Sequence, residues 1–278
     1  MFRSAIQAVL LWYARRVPYH LYKQQISKRL RQMFRISIVG EFEETRAGLR
    51  WTMDAGDYTQ QDLFWSGVKD AAEIREALQC LPKGGVMFDL GANFGYYAIT
   101  IATAVQGDCR IYAFEPNPST MQRFQRNVAL NGTRGLHLFE VGVSDAAGHA
   151  LVVETPNHSG AAYLRQNPAS GVPVTTLDVF CEQNRIDRLD LIKMDIEGAE
   201  LRALHGGIAT FKRFRPAMLI ELNPETSERE GYPVRDVVVF LEDLGYAIWD
   251  VRSRARITRD HLPQCGYFMN AICKTLFS

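Results

Sequence analysis

The chain has 278 residues, enough for one large domain with a modest extension. With 47% hydrophobic and 23% charged residues it has the balance of an ordinary globular protein, which excludes a disordered or collagen-like chain. A net charge of +1 gives no reason to expect a polyanionic partner for the whole molecule, so no nucleic acid is expected to bind it.

That charge is unevenly placed. Residues 1–35 hold eight Lys and Arg and no Asp or Glu, so the rest of the chain is net acidic. Ile6, Val9, Leu10, Tyr13 and Val17 recur at helical spacing until Pro18 interrupts. Tyr22, Ile26, Leu30 and Met33 repeat the stripe, with Lys28, Arg31 and Arg35 on the opposite side. Residues 1–50 therefore read as a basic amphipathic helical extension, and 51–278 as the main domain. Three roles stand open for the extension: a lid or homodimer element, a peripheral membrane contact through residues 1–35, or a nucleic-acid arm. Ala5–Ala14 has the length of a signal-peptide core, but Arg15 and Arg16 stand where a small-residue cleavage site belongs. No apolar run approaches the ~20 residues of a membrane span. Five cysteines, odd in number and without a C-x-x-C pair, oppose a disulfide framework or a structural zinc site. They fit a reducing, cytoplasmic setting.

"FRISIVGEFEE" reads as a short strand, and Asp70–Cys80 as a helix stopped by Pro82-Lys83-Gly84-Gly85. From there apolar strands alternate with helices. The strands are Val86–Leu90, Arg110–Phe114, Leu136–Val143, Asp190–Asp195, Ala217–Leu222, Ala247–Val251 and Tyr267–Lys274. The helices run from Tyr96 to Val105, Pro118 to Asn131, Ala199 to Phe211 and Val234 to Leu244. This alternation predicts an α/β fold with a mostly parallel sheet covered on both faces. Gly148–Gly171, rich in Gly, Pro, Asn and Ser, is read as one long functional loop.

The sharpest local signal is "VMFDLGANFGYYA", in which a strand delivers Asp89, a glycine turn follows and a helix starts. The dinucleotide pattern G-x-G-x-x-G would need glycine at Gly91, Asn93 and Tyr96, and two of the three fail. What remains is D-x-G-x-x-x-G. An acid just before the turn repels a pyrophosphate but attracts a cationic amino-acid group, which favours S-adenosyl-L-methionine over NAD. Strand two ends at Glu115, where a carboxylate can accept hydrogen bonds from both ribose hydroxyls. Strand three ends in Val143-Ser144-Asp145, where an adenine would lie and Ser144 or Asp145 could meet its amine.

Strand four places Lys193 and Asp195 on one face, with Glu197 just beyond. A lysine there needs a counter-charge, and Asp89 or Asp195 is the expected partner. A hydroxyl acceptor needs a general base, for which Asp195, Glu197, Glu221 and His158 all stand as candidates. Glu197 has the plainer reading of a helix cap. A divalent ion held by Asp195 and Glu221 is conceivable, but no ligand spacing calls for one, and no metal is expected.

The stretches "FDLGANFGYYA", "YAFEPNPSTMQRFQRNVALNG", "VGVSD", "VTTLDVF", "DLIKMDIEGAELRALHGG" and "RFRPAMLIELN" resemble, in order, those of the FkbM-type methyltransferases. The most diagnostic is "LIKMDIEGAE", and the likeness covers roughly residues 50–275. It implies the seven-stranded class I methyltransferase sheet, Rossmann-like, with its last strand reversed. It also implies O-methylation of a sugar, glycan, glycolipid or similar small acceptor, with Asp89, Gly91, Asn93, Gly95, Glu115 and Asn117 on cofactor positions. One departure is visible: His158-Ser159-Gly160-Ala161-Ala162-Tyr163 stands where the family often has an "SGGSS"-like loop. The alternatives are N-methylation of RNA or a small amine, and a non-catalytic scaffold that binds the cofactor. Against the first, no Asn-Pro-Pro-aromatic tetrapeptide ends strand four.

Overall fold

The computed structural model describes residues 2–17, 22–34, 40–167, 169–262 and 268–275. Pro18, Arg35, Cys265, Tyr267 and the start of the "FRISIVG" strand lie outside these residues.

Two helices open the chain, α1 (Phe2–Arg16) and α2 (Lys23–Phe34). Lys23 is buried, and its Nζ donates to the carbonyls of Ala14, at 3.0 Å, and Val17. An ammonium at the last turn of α1 thus meets carbonyls that have no partner within the helix. An antiparallel hairpin follows, β1 (Glu41–Arg46) and β2 (Leu49–Asp54), then α3 (Tyr58–Ser66) and α4 (Ala71–Cys80). The expected junction at residue 50 falls inside β2, where Trp51 and Met53 are already core residues.

The alternation then runs β3 (Gly85–Leu90), α5 (Tyr96–Ala104), β4 (Cys109–Phe114), α6 (Pro118–Asn131) and β5 (Leu136–Phe139). Next come β6 (Gly142–Val143), β7 (Gly148–Thr155), β8 (His158–Gln166), β9 (Val172–Thr175), α7 (Leu177–Gln183) and β10 (Leu191–Met194). The chain continues with α8 (Glu200–His205), α9 (Ile208–Phe214), β11 (Ala217–Leu222), α10 (Pro224–Arg229) and α11 (Val234–Asp243). It closes with β12 (Tyr246–Asp250), β13 (Arg256–Ile257) and β14 (Met269–Thr275).

The main sheet has eight strands in the order β13-β12-β14-β11-β10-β3-β4-β5. β10, β11, β3, β4 and β5 are parallel, and β14 runs antiparallel to both β11 and β12. This is the expected Rossmann-like α/β sheet with a reversed last strand, widened by the short edge strand β13. Side chains of β3 alternate between two cores. Val86, Phe88 and Leu90 pack on the side of α7, α8, α9 and α11, whereas Met87 faces α1, α3, α4 and α5. All six residues of β3 are buried, which is what a central parallel strand requires. Strand order reverses between β3 and β10, so their carboxyl ends open a crevice.

Three sequence expectations change. Residues 148–166 form not a loop but the hairpin β7–β8, part of a second, four-stranded sheet in the order β6-β9-β7-β8. Its strands are half-buried on both faces and carry small residues, so the polar alternation that signals a strand is missing. The predicted strand Leu136–Val143 divides between the two sheets as β5 and β6. The predicted helix Ala199–Phe211 breaks at Gly206-Gly207, because a Cβ on Gly206 would lie 2.2 Å from the Ser144 carbonyl oxygen. No helix of the described residues is long and apolar enough to cross a membrane. Cys80, Cys109, Cys181 and Cys273 are free thiols.

Candidate active site

A cleft of about 900 Å³, including its solvent mouth, lies over the carboxyl ends of β3, β4 and β10. Its floor is the turn Gly91–Phe94, its far wall Glu115–Asn117 and Val141–Val143, and its near wall Lys193 and Asp195–Glu197. The β7–β8 hairpin roofs it with Val152, Ser159, Gly160, Ala162, Tyr163 and Leu164.

The turn is shaped by close packing. Gly91 has φ +73°, and a Cβ there would sit 1.9 Å from the Asp195 carbonyl oxygen. Gly95 has φ +91°, and a Cβ would meet the Phe124 ring at 2.1 Å. Both positions therefore exclude side chains through contacts with protein, which seats the turn tightly between β10 and α6. Asn93 adopts a positive φ of 51° and presents its backbone N–H to Glu115 Oε2 at 2.9 Å. Asn117 N donates to Glu115 Oε1, also at 2.9 Å. Each carboxylate oxygen of Glu115 thus keeps a free lone pair. Burial pushes the Glu115 carboxyl up to about 7, although these two amides favour its charged form.

Asn117 is also the N-cap of α6, and its Nδ2 donates to Glu154 Oε1 of the hairpin at 2.6 Å. The roof is tied at its other end by Asp57. One oxygen of Asp57 accepts from Thr59 N at 2.8 Å and the other from Ser159 N at 3.0 Å. Gly160 N donates to Thr59 Oγ1 at 2.8 Å. The Arg229 guanidinium stacks 4.0 Å from the Tyr163 ring, joining the roof to α10.

Asp89 does not reach the cleft. It is fully buried beneath the turn, in register with Lys193 on the neighbouring strand. Lys193 Nζ lies 3.5 Å from Asp89 Oδ1 and 3.7 Å from Asp195 Oδ2, so both expected partners share it. It also donates to the Gly91 carbonyl at 2.8 Å. Burial opposes this ammonium, but Asp195 and Asp89 outweigh burial and hold it above its ordinary value. Asp89 therefore sits below the turn beside Lys193 and is not among the residues that line the cleft.

At the end of β10 the chain turns through Glu197 (φ 55°) and Gly198 (φ 100°). It is Glu200, not Glu197, that holds this turn, accepting from Ile196 N at 3.0 Å and Gly198 N at 3.3 Å. Glu197 is free to point elsewhere. Oxygens of Asp195, Glu197 and Glu221 lie within 4.8 Å of one another, close enough to hold a cation. Burial, with Asp195 and Glu200 nearby, pushes Glu197 up to about 8. Burial, with Asp195 and Glu197 adjacent, pushes Glu221 up to about 9. The stability that Glu221 lends as a neutral acid is complete below its unfolded pKa and is lost as pH rises through about 9. Glu221→Gln is therefore expected to melt about 2–4 °C above the wild type at pH 9, what ~1 kcal/mol is worth in a chain of this size. The two melting curves should converge towards pH 5; equal melting temperatures across this range would refute the burial of a neutral acid here.

Of the other predicted residues, Val143 lines the cleft, whereas Ser144 and Asp145 are not among its walls. Ser144 N bonds the Thr175 carbonyl at 3.0 Å, and its hydroxyl bonds Asp145 Oδ1 at 2.9 Å. His158 also lies outside the lining, its ring edge-on to Tyr58 at 5.9 Å. Lys69, Tyr97, Thr59 and Tyr163 line the cleft and were not anticipated from the sequence. Lys69 pairs with Asp70, and that carboxylate, with Asp195 and Asp62, keeps the lysine charged against the cost of burial. Lys69 and Thr59 come from the α3–α4 region, which no motif marks.

The match to the methyltransferase FkbM domain runs over residues 89–248, from Asp89 at the end of β3 to Ile248 in β12. Hexuronic acid methyltransferase AglP of Haloferax volcanii is 27% identical over 135 residues, covering 48% of this chain and 54% of that protein. 2-O-methyltransferase NoeI of Sinorhizobium fredii is 26% identical over 149 residues, covering 47% of this chain and 60% of that protein. The chain thus spans little more than half the length of these curated relatives. The crystal structure of methyltransferase FkbM from Methylobacillus flagellatus has a TM-score of 0.43 and 20% identity, over 68% of this chain and 43% of that one. With its family match spanning more than half of the sequence, the chain belongs to the FkbM family of S-adenosylmethionine-dependent methyltransferases.

Proposed function

We propose that this chain transfers a methyl group from S-adenosylmethionine to a hydroxyl of a sugar-type small acceptor. One observation carries the reading. A carboxylate with open lone pairs, Glu115, and a cluster of carboxyls around Asp195, with oxygens within 4.8 Å of one another, stand at opposite walls of one cleft.

The residues present fit the cofactor. Glu115 can accept both ribose hydroxyls beside its two amide partners. Phe114, Val143, Val152 and Leu164 supply the apolar walls that a purine needs. The acidic end of the cleft, at Asp195 and Glu197, suits the positive charge of the amino-acid end. S-adenosylmethionine, when bound, supplies an electrophilic methyl group on a sulfonium.

The rest is done by the protein. An alcohol attacks well only as its proton leaves, and Asp195 is the cleft-lining carboxylate placed to take it. Lys193 Nζ lies beneath Asp195, 3.7 Å from its Oδ2. Glu197 and Glu221 lie within reach to pass that proton on. A neutral amine needs no such base before it attacks, so the cluster favours oxygen over nitrogen as the methylated atom. The hairpin roof excludes water and fixes the direction of approach. The names of the relatives, one acting on a hexuronic acid and one at a 2-O position, support a sugar hydroxyl as the acceptor.

The test is transfer of labelled methyl from S-adenosylmethionine to free hexoses and hexuronic acids. Label in an alkali-stable ether is the expected result; label confined to amines would refute the reading. A second expectation follows from Glu115. Its protonation replaces an acceptor by a donor, so S-adenosylhomocysteine should bind about tenfold more weakly per pH unit below about 7. Glu115→Gln should bind weakly with no such pH dependence, and a wild-type affinity that is flat between pH 8 and 6 would contradict the role.

A further inference from the structure

Five of the eight exposed large hydrophobic side chains among the described residues belong to the first two helices and the residue before the second. On α1, Leu10 and Ala14 are buried, while Val9 is 62% and Trp12 60% exposed. On α2, Lys23 and Ser27 are buried, while Tyr22, Ile26 and Met33 recur on one exposed face, Met33 at 71%. Both helices pack on α3, where Arg31 donates to Gln61 at 2.8 Å and stacks on Trp65 at 4.8 Å. Each helix therefore already has its core-facing side, and its second apolar stripe is turned to solvent.

We propose that this stripe is a docking surface for an anionic lipid bilayer. Exposed cations flank the stripe, Arg16 on α1 and Arg29 on α2, and Lys28 is exposed farther round α2. The segment has no acid anywhere in residues 1–35. Trp12 and Tyr22 carry an apolar ring and a polar tip, which suits the headgroup boundary. A basic, acid-free face is complementary to anionic lipid. Against a second copy in a two-fold dimer it would set like charge on like charge. A nucleic-acid face would place cations, and not Val9, Trp12 and Met33, at its centre.

The same helix that carries this platform also serves the cleft. Tyr58, at the start of α3, is 64% exposed and holds the ring of His158 in the roof, and Thr59 lines the cleft wall. Docking would thus fix the orientation of the cleft relative to the bilayer. The proposal stands apart from the methyl-transfer reading, since binding needs neither cofactor nor acceptor.

The experiment is co-sedimentation of the full chain with vesicles of phosphatidylcholine alone and of phosphatidylcholine with phosphatidylglycerol. The protein should pellet with the anionic vesicles, stay in solution with the neutral ones, and be released as salt shortens the Debye length to about 3 Å near 1 M. Trp12→Glu with Met33→Glu should lower partitioning at least about tenfold, as two apolar anchors become anions. Lys28→Glu with Arg29→Glu should do the same while sparing the apolar stripe. All four side chains are exposed, so circular dichroism and S-adenosylhomocysteine binding should match the wild type. Failure of the wild type to pellet with anionic vesicles would overturn the proposal, as would unchanged partitioning of both variants. A wild-type dimer that Trp12→Glu with Met33→Glu splits into monomers would overturn it too, assigning the face to a second copy.

Discussion

Glu115→Ala is expected to weaken S-adenosylhomocysteine binding by about 100-fold or more, in equilibrium dialysis at pH 8. The carboxylate has one free lone pair on each oxygen and stands at the end of β4, on the wall facing the floor turn. Two hydroxyl donors to a charged acceptor are together worth roughly 3 kcal/mol or more, and the alanine loses both. The side chain also orders Asn93 N and Asn117 N, so the turn loosens and the loss grows. Folding should survive, because these amides sit at a cleft that admits water. Glu115→Gln keeps the shape and part of the acceptor set and should fall between the two. Wild-type affinity in Glu115→Ala would remove the ribose assignment.

Asp195→Asn is expected to lower kcat by about 10²–10⁴, the range typical of removing a positioned base. S-adenosylhomocysteine affinity should fall as well, since the substitution removes negative charge from the acidic end of the cleft, so kcat is read at saturating cofactor. Asp195 lines the cleft, is 37% exposed at its side chain and lies 3.7 Å from Lys193. Burial and neighbouring carboxylates push Glu197 up to about 8 and Glu221 up to about 9, which disfavours either as the base at neutral pH. His158→Ala, by contrast, should leave kcat nearly unchanged, because that ring rests on Tyr58 outside the cleft lining. A large loss in His158→Ala and none in Asp195→Asn would reverse the assignment.

The parallel sheet could be read from sequence because its strands are short apolar runs, and buried parallel strands need nothing else. The glycine turn after Asp89 and the acid at Glu115 were legible for a similar reason: each stands one step beyond an apolar strand. The function of Asp89 was not. A period-two pattern places it beside Lys193, but only register shows that the lysine absorbs its charge before any ligand can. Glu197 was ambiguous between cap and base until Glu200 was seen to hold the turn amides. Glu221 comes from the next strand, so its approach to Asp195 depends on the sheet and has no linear spacing. The roof was legible as a functional segment, but its strands were not. Hairpin β7–β8 owes its place to Asp57, Thr59, Asn117 and Arg229, partners far away in the chain, and its own residues show no alternation.

The most direct test of the account is calorimetric titration of the wild-type protein with S-adenosylhomocysteine, and with NAD as the control. One site in the micromolar range for the adenosyl ligand, with no heat from NAD, is the predicted result. No binding of S-adenosylhomocysteine, or tighter binding of NAD, would contradict the assignment of the cleft and the methyl transfer built on it.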